Sequence, residues 1–319
     1  MIHRGDRARA QVFALGPSRA WRDALSHYGE LEFADVEERV FEDGEHKLRP
    51  LVSVRDRDVF VIQALAGDAQ LSVNDRLARL LFFIATLRDH GAHRVTPVVP
   101  YLPYARKDRR TKPHDPVTCR YLAQMFEAMG TDRVVTLEAH NVAALENAFR
   151  CPTVHLTAAE LLTQAVCDVI ADQPVAVVSP DAGGAKRADG WRDVLDARTG
   201  GAASAAFLEK RRSGGVVSGA SVVGDVNGRM AIIVDDMIVS GGTMVRAIDA
   251  CRARGAIGVI ACAAHGLFTS GSEALLDHPG LDHLIIANTV PVRASVTERE
   301  RVQIVPVEPF LARVISGLV

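Results

Sequence analysis

Short runs of aliphatic and β-branched residues recur along the chain, at Val12–Leu15, Val59–Leu65, Val95–Val99, Val134–Leu137, Val175–Val178, Ala231–Val234, Ile257–Ala261 and Leu284–Ala287. Each is too short for a helix, and the segments between them carry apolar residues at helical spacing. Strands alternating with helices at this pitch predict parallel sheets with helices on their faces, an α/β protein. The clearest helix begins at Ser72, whose side chain suits a cap, with Asp75 three residues on. Leu77, Leu80, Leu81, Ile84 and Leu87 then share one face, and Gly91 ends it. Pro152 and the polar Thr157–Glu160 stretch predict a boundary near residue 150, giving domains over 1–152 and 153–319. The stretch SGGVVSGASVVGDVN, Ser213–Asn227, reads as a mobile loop.

A length of 319 residues, with 48% hydrophobic and 24% charged, is enough for two such domains and excludes disorder. The formal charge is -2, so the chain as a whole is not a polycation that coats nucleic acid or an anionic membrane. Any anion must be met locally. Cations are mostly Arg, with only five lysines, so the position of each lysine carries information. The five cysteines show no CxxC pair or metal-finger spacing and read as reduced thiols of a cytoplasmic protein. The first residues do not form a signal peptide, and the apolar Leu77–Leu87 segment is far below the ~20 residues of a bilayer span.

The strongest chemical constellation is AIIVDDMIVSGGTM, Ala231–Met244. An apolar strand ends in Asp235 and Asp236, and the turn Ser240, Gly241, Gly242, Thr243 opens a helix. Backbone N–H groups at a helix start, approached closely past glycines, suit a phosphate monoester. Carboxylates one short loop away suit vicinal hydroxyls, and a pentose 5-phosphate carries both groups at that separation. A second cluster, RKDRRTK at Arg106–Lys112, packs five cations and one carboxylate into seven residues beyond a strand end. It suits a triphosphate or, seen alone, a solvated basic turn. His140 and Asp181 each follow a strand, at the carboxyl ends where open α/β sheets place their sites.

These segments resemble, in order, those of the ribose-phosphate pyrophosphokinases. FEDGE at Phe41–Glu45 is similar to the family's FxDGE. VVPYLPYARKDRR at Val98–Arg110 resembles PYxxYARQDR, and TLEAHNVAALENAF at Thr136–Phe149 its LHxxQIQGFF region. VVSPDAGGAKRA at Val177–Ala188 is close to VSPDxGGxxRA, and IIANTVP at Ile285–Pro291 resembles TNTIP. The ribose-phosphate loop by itself is shared with type I phosphoribosyltransferases, but a transferase has no use for the upstream motifs.

The resemblance implies two phosphoribosyltransferase-like domains, each a mostly parallel sheet flanked by helices. It implies pyrophosphoryl transfer from Mg2+-ATP to ribose 5-phosphate, giving 5-phosphoribosyl 1-pyrophosphate and AMP. By resemblance Phe41, Asp43, Glu45, Arg106, Lys107, Asp108 and Arg109 bind ATP. Asp235, Asp236, Ser240, Gly241, Gly242 and Thr243 bind ribose 5-phosphate. His140 and Asp181 hold the magnesium, and Lys210 with Arg212 stabilise the transition state as catalytic residues at the entrance to the mobile loop. Arg106 and Arg187 are stronger phosphate candidates than His265, which reads as structural. A homo-oligomer built on dimers, up to a hexamer, is expected, with no nucleic-acid or membrane partner.

The chain departs from the pattern at three places. Val239 stands where an acid or small polar residue is usual, and Lys107 replaces a glutamine. The segment after His140 lacks IQGFF. The competing readings are a phosphoribosyltransferase and a non-catalytic, synthetase-associated paralogue; the presence of His140, Asp181, Lys210 and Arg212 argues against decay of the site.

Overall fold

A computed structural model describes residues 10–27, 31–201, 203–213 and 216–319; within 210–220 the description is of the backbone alone. The chain divides into two compact units. One runs to Leu156 and includes Val307–Val319, and the other is Thr157–Pro306.

The first unit is built on six parallel strands in the order β2-β1-β5-β6-β7-β8. In chain order its elements are β1 (Gln11–Ala14), α1 (Arg22–Ser26), β2 (Glu32–Phe33), β3 (Val36–Val40), β4 (His46–Pro50), β5 (Asp58–Ile62), α2 (Val73–Asp89), β6 (Arg94–Val98), α3 (Thr118–Ala128), β7 (Val134–Leu137), α4 (Val142–Ala148) and β8 (Thr153–Leu156). β1, β5, β6 and β7 are the four expected strands. β3 and β4 form a separate antiparallel hairpin in register Val36↔Pro50 to Val40↔His46. The expected α2 is present with a reciprocal cap: Asp75 N–H donates to Ser72 Oγ at 3.2 Å, and Ser72 N–H donates to Asp75 Oδ2 at 2.8 Å. Its Leu77, Leu80, Leu81, Ile84 and Leu87 pack into the core with Phe13, Val61, Val95 and Phe126.

The second unit holds seven strands in the order β11-β10-β9-β12-β13-β14-β15. Its elements are α5 (Ala158–Ile170), β9 (Val175–Ser179), α6 (Ala185–Thr199), β10 (Ser204–Ser213), β11 (Val216–Val223), β12 (Met230–Ile238), α7 (Gly242–Ala253), β13 (Gly258–Gly266), α8 (Glu273–Leu276), β14 (His283–Ala287), α9 (Ala294–Thr297) and β15 (Val302–Val305). Every pairing in this sheet is parallel except β10 with β11. Central β13 is buried at all nine positions, as expected of a strand covered on both faces. The final helix α10 (Glu308–Leu318) belongs to the first unit, where it packs on α1.

The structure corrects the reading of Ser213–Asn227 as loop. Val216–Val223 forms an edge strand paired with β10, and Gly214 and Gly215 lie outside the described residues. The valines at 216, 217, 222 and 223 supply the strand propensity that the intervening Gly and Ser mask.

After β9 the chain crosses to β10 on one side, and it later returns to β12 on the other. The carboxyl ends of β9 and β12 therefore flank a topological switch point, where open α/β sheets leave a crevice for ligands.

Ser72→Ala is expected to destabilise the first unit by about 1 kcal/mol. The hydrogen bonds from Ser72 hold the Asp75 carboxyl below its usual range, so that half of the cap weakens as pH falls through the lowered value, while Ser72 Oγ still accepts the Asp75 N–H. Denaturant melts of parent and variant should therefore differ at pH 7 and differ less in acid.

Candidate active site

Asp235 and Asp236 stand inside β12, which continues to Ile238, rather than beyond it. Asp236 is buried and Asp235 half-buried. One guanidinium serves both: Arg187 Nη1 lies 3.2 Å from Asp235 Oδ1, and Nη2 lies 3.7 Å from Asp236 Oδ1. Asp235 Oδ1 also accepts the Asp236 N–H at 2.9 Å. Burial foremost, and then the neighbouring Asp236 charge, push the Asp235 carboxyl well above the ordinary range, against the pull of Arg187. Arg187, which the sequence marked as a phosphate candidate, is thus held by the acid pair, because its own position early in α6 faces β12.

Asp181 starts that helix. Its Oδ1 accepts the Gly184 N–H at 3.0 Å and caps the 3-10 turn Ala182–Gly184 that leads into α6. A Cβ on Gly184 would sit 2.5 Å from Ser179 Oγ, so only glycine lets the helix approach β9 this closely.

The segment Ser240–Thr243 joins β12 to α7. Gly241 has φ +78°, and a Cβ there would meet Leu275 Cβ at 2.7 Å. α7 begins at Gly242 without a side-chain cap, so its first-turn N–H groups are presented without a side chain of this chain bonded across them. Thr243 Oγ1 accepts from Arg246 Nη2 at 3.3 Å. Below the loop, Val239 C=O accepts the Thr269 N–H at 2.9 Å, so this divergent position anchors the loop through its backbone. His265 is buried with Nδ1 2.8 Å from Thr289 Oγ1, in keeping with a structural role.

In the first unit the basic segment occupies the loop between β6 and α3. Arg106 and Arg109 are exposed. Lys107 is not: its Nζ donates to Asp115 Oδ2 at 2.6 Å and Thr111 Oγ1 at 3.1 Å. Asp115 Oδ2 also accepts the N–H groups of Thr111 and Lys112 at 3.0 and 2.9 Å, and these bonds, Lys107 foremost, hold its carboxyl far below the usual range. The ammonium that replaces the family glutamine therefore closes its own loop. Asp108 Oδ2 accepts from Asn141 Nδ2 at 2.6 Å.

His140 lies exposed between β7 and α4. The chain turns toward it through Glu138, a buried residue at φ +47°, and the next N–H, of Ala139, donates to His155 Nε2 at 3.0 Å.

Phe41, Asp43 and Glu45 form the turn of the β3–β4 hairpin. Phe41 N–H donates to Glu45 C=O at 2.8 Å, Glu45 N–H donates to Asp43 Oδ1 at 3.0 Å, and Arg39 lies over the Phe41 ring at 4.9 Å. Lys210 and Arg212 belong to β10 by backbone, with a register shift between Arg211 and Arg212; their side chains lie outside the described residues.

The structure brings together Asp181, Asp235, Asp236 and the 240–243 loop at the ends of neighbouring β9 and β12. It likewise gathers the basic loop and His140 at the ends of β6 and β7. The FEDGE turn sits on its own two-stranded sheet. Sequence reasoning missed Asp115 and Asn141; nothing in their spacing marks them, since their partners are found only when loops meet.

Among the described residues no three His, Cys, Asp or Glu side chains converge as a metal cage. Asp181 spends one oxygen on Gly184 and keeps Oδ2. Such a sparse donor set fits a hard cation that takes most of its ligands from phosphate and water.

Two outcomes follow for unit two. Raising the Asp235 pKa makes the folded state hold a proton that the unfolded chain gives up near pH 4, so stability falls as pH rises from there into the neutral range. Asp235→Asn should remove that slope and raise the Tm at pH 8 by a few degrees, measured by thermal melts across pH. Gly241→Ala should cost about 1–3 kcal/mol, from the positive φ and the Leu275 overlap, and distort the loop.

A model of the N-terminal domain of ribose phosphate pyrophosphokinase matches residues 10–130, and one of a phosphoribosyl synthetase-associated domain matches 215–318. The chain is 31% identical over 309 residues to the ribose-phosphate pyrophosphokinase of Hyphomonas neptunium, covering 97% of this chain and 96% of the relative. It is 34% identical over 294 residues to that of Caldanaerobacter subterraneus subsp. tengcongensis, covering 92% and 89%. The crystal structure of phosphoribosylpyrophosphate synthetase from Mycobacterium smegmatis matches with a TM-score of 0.86 at 31% identity, over 97% of this chain and 98% of that one. The two sheets are accordingly of the phosphoribosyltransferase-like kind that the motifs implied. With relatives this similar along nearly its whole length, the chain belongs to the ribose-phosphate pyrophosphokinase family.

Proposed function

We propose that this enzyme transfers the β,γ-pyrophosphoryl group of ATP to the anomeric hydroxyl of ribose 5-phosphate, releasing AMP. The observation that carries the reading is the acid pair Asp235–Asp236 one short loop from the uncapped start of α7. Two carboxylates accept hydrogen bonds from the ribose 2- and 3-hydroxyls, and the N–H groups of Gly242 and Thr243, with the Ser240 and Thr243 hydroxyls, take the 5-phosphate. Arg187 and the donated ribose hydroxyls together favour the ionised form of the acid pair, against the burial that keeps a proton on Asp235 in the ligand-free site.

In the first unit Arg106 and Arg109 present exposed guanidiniums to the triphosphate, which they can grip bidentately. Lys107 and Asp108 shape that loop. Phe41 offers a ring for stacking on adenine, and Asp43 and Glu45 polar groups for its edge. Asp181 in the second unit and His140 in the first would each offer a ligand to magnesium, which when bound would neutralise charge on phosphate oxygens. Lys210 and Arg212 stabilise charge that builds on the transferred group and on the AMP leaving oxygen, so their effect falls on kcat. No general base is required, because phosphoryl-type transfer depends on positioning and electrostatics. The same reading makes the enzyme cytoplasmic and a homo-oligomer; no helix among the described residues is long and apolar enough to cross a membrane.

Incubation with Mg-ATP and ribose 5-phosphate should release AMP and 5-phosphoribosyl 1-pyrophosphate in equal amounts. Lys210→Ala should lower kcat by about 100-fold or more with little change in either KM. A parent protein that forms no AMP, or a Lys210→Ala variant as fast as the parent, would overturn the reading.

A further inference from the structure

His140 sits between two anchored neighbours. On its N-terminal side the Ala139 N–H donates to His155 Nε2 at 3.0 Å, directly after the left-handed Glu138. This bond leaves Nε2 of His155 as an acceptor, and β8 carries that imidazole in register with Thr136 on β7. On the other side Asn141 uses both ends of its amide. Oδ1 accepts the Ala144 N–H at 3.1 Å and caps α4, which fixes the orientation of the group and turns Nδ2 outward. Nδ2 donates to Asp108 Oδ2 at 2.6 Å, across 33 positions of sequence. Asp108 lies between Lys107, which closes the basic loop through Asp115, and exposed Arg109.

We propose that Asn141 is a positioning residue that locks the turn carrying His140 to the basic loop carrying Arg106 and Arg109. This rests on the reading in which those three side chains serve the nucleotide. The chemistry supports a lock rather than a nucleotide contact for Asp108: an acidic oxygen facing an incoming triphosphate is repulsive, and here it is turned onto an amide donor. A charge-assisted bond of this length ties two loops that the sheet alone leaves independent, since β6 and β7 fix only their roots. The lock places an imidazole and two guanidiniums in one geometry before ligand arrives, which is where positioning gains affinity.

The test uses Asn141→Ser. Serine keeps a helix-capping oxygen, so α4 and the Tm should be retained, while the donor to Asp108 is lost. The KM for ATP should rise about tenfold, with the KM for ribose 5-phosphate unchanged. Asp108→Ala should do the same, and the double variant should be no worse than either single one. Additive effects, or an unchanged KM for ATP in Asn141→Ser, would overturn the lock. A second readout needs neither turnover nor metal: the His140 imidazole resonances of the ligand-free protein should shift and broaden in Asn141→Ser. If the parent lacks synthetase activity, the function reading fails, and this spectrum decides the lock by itself, unchanged resonances counting against it.

Discussion

Most of the candidate chemistry in this chain is governed by one constraint: a parallel sheet covered by helices on both faces has no polar surface except at its ends. Central β13 shows how complete the covering is, with nine of nine residues buried. On such a sheet a functional side chain stands toward a strand terminus, and the carboxyl terminus is the end from which chain leads into helix starts; the FEDGE turn, on its own hairpin, and Lys210 and Arg212, in β10 beside the antiparallel edge strand, stand apart from this rule. Asp181 after β9, Asp235 and Asp236 late in β12, the basic loop after β6 and His140 after β7 all obey this. The uncapped start of α7 is one result, since the loop from β12 delivers unbonded N–H groups beside the acid pair.

Much of that arrangement was legible. Parallel strands buried on both faces read as continuous apolar runs, and the eight runs named from sequence correspond to β1, β5, β6, β7, β9, β12, β13 and β14. Of the strands that escaped, β2, β8, β11 and β15 are sheet edges, β3 and β4 stand outside the main sheets, and β10 lies one place in from the edge, paired with β11. β3 and β4, VEERV and HKLRP, pair with only each other and carry charges at half of their positions, so no apolar run announces them. β11 is disguised by Gly and Ser. In the site, residue types were readable because charge at a strand end is conspicuous, whereas partnerships were not. Arg187 is a cation next to a Gly-rich turn in sequence, and only the pairing of β9 with β12 delivers it to two carboxylates.

That pairing matters because adjacent carboxylates repel, and burial makes ionisation of both costly. A single guanidinium reaching both moderates the cost without abolishing it, as the raised Asp235 pKa shows. Hydroxyl groups that donate to the pair would lower the cost further, so a diol ligand and the ionised acids stabilise one another. The site is in this sense electrostatically unfinished, a condition that favours a donor-rich ligand over a second anion.

The same logic explains why the departures in the first unit are tolerated. A lysine in place of the family glutamine adds a charge to a loop already crowded with arginines, and uncompensated it would repel its neighbours. Asp115, eight residues on, absorbs it through a 2.6 Å ion pair and binds two loop N–H groups as well, so the substitution stiffens the loop instead of spreading it. Asp108 is answered by an amide, not a cation, and so it consumes none of the guanidiniums. The five cations of RKDRRTK thereby divide into one that holds the loop's shape and others whose charge stays outward. Asp115→Ala should then disturb the loop more than Lys107→Ala, read as loss of amide exchange protection at Thr111 and Lys112, because it leaves the Lys107 ammonium among like charges and two loop N–H groups without their acceptor, whereas Asp115 without Lys107 keeps both N–H groups and sits among cations.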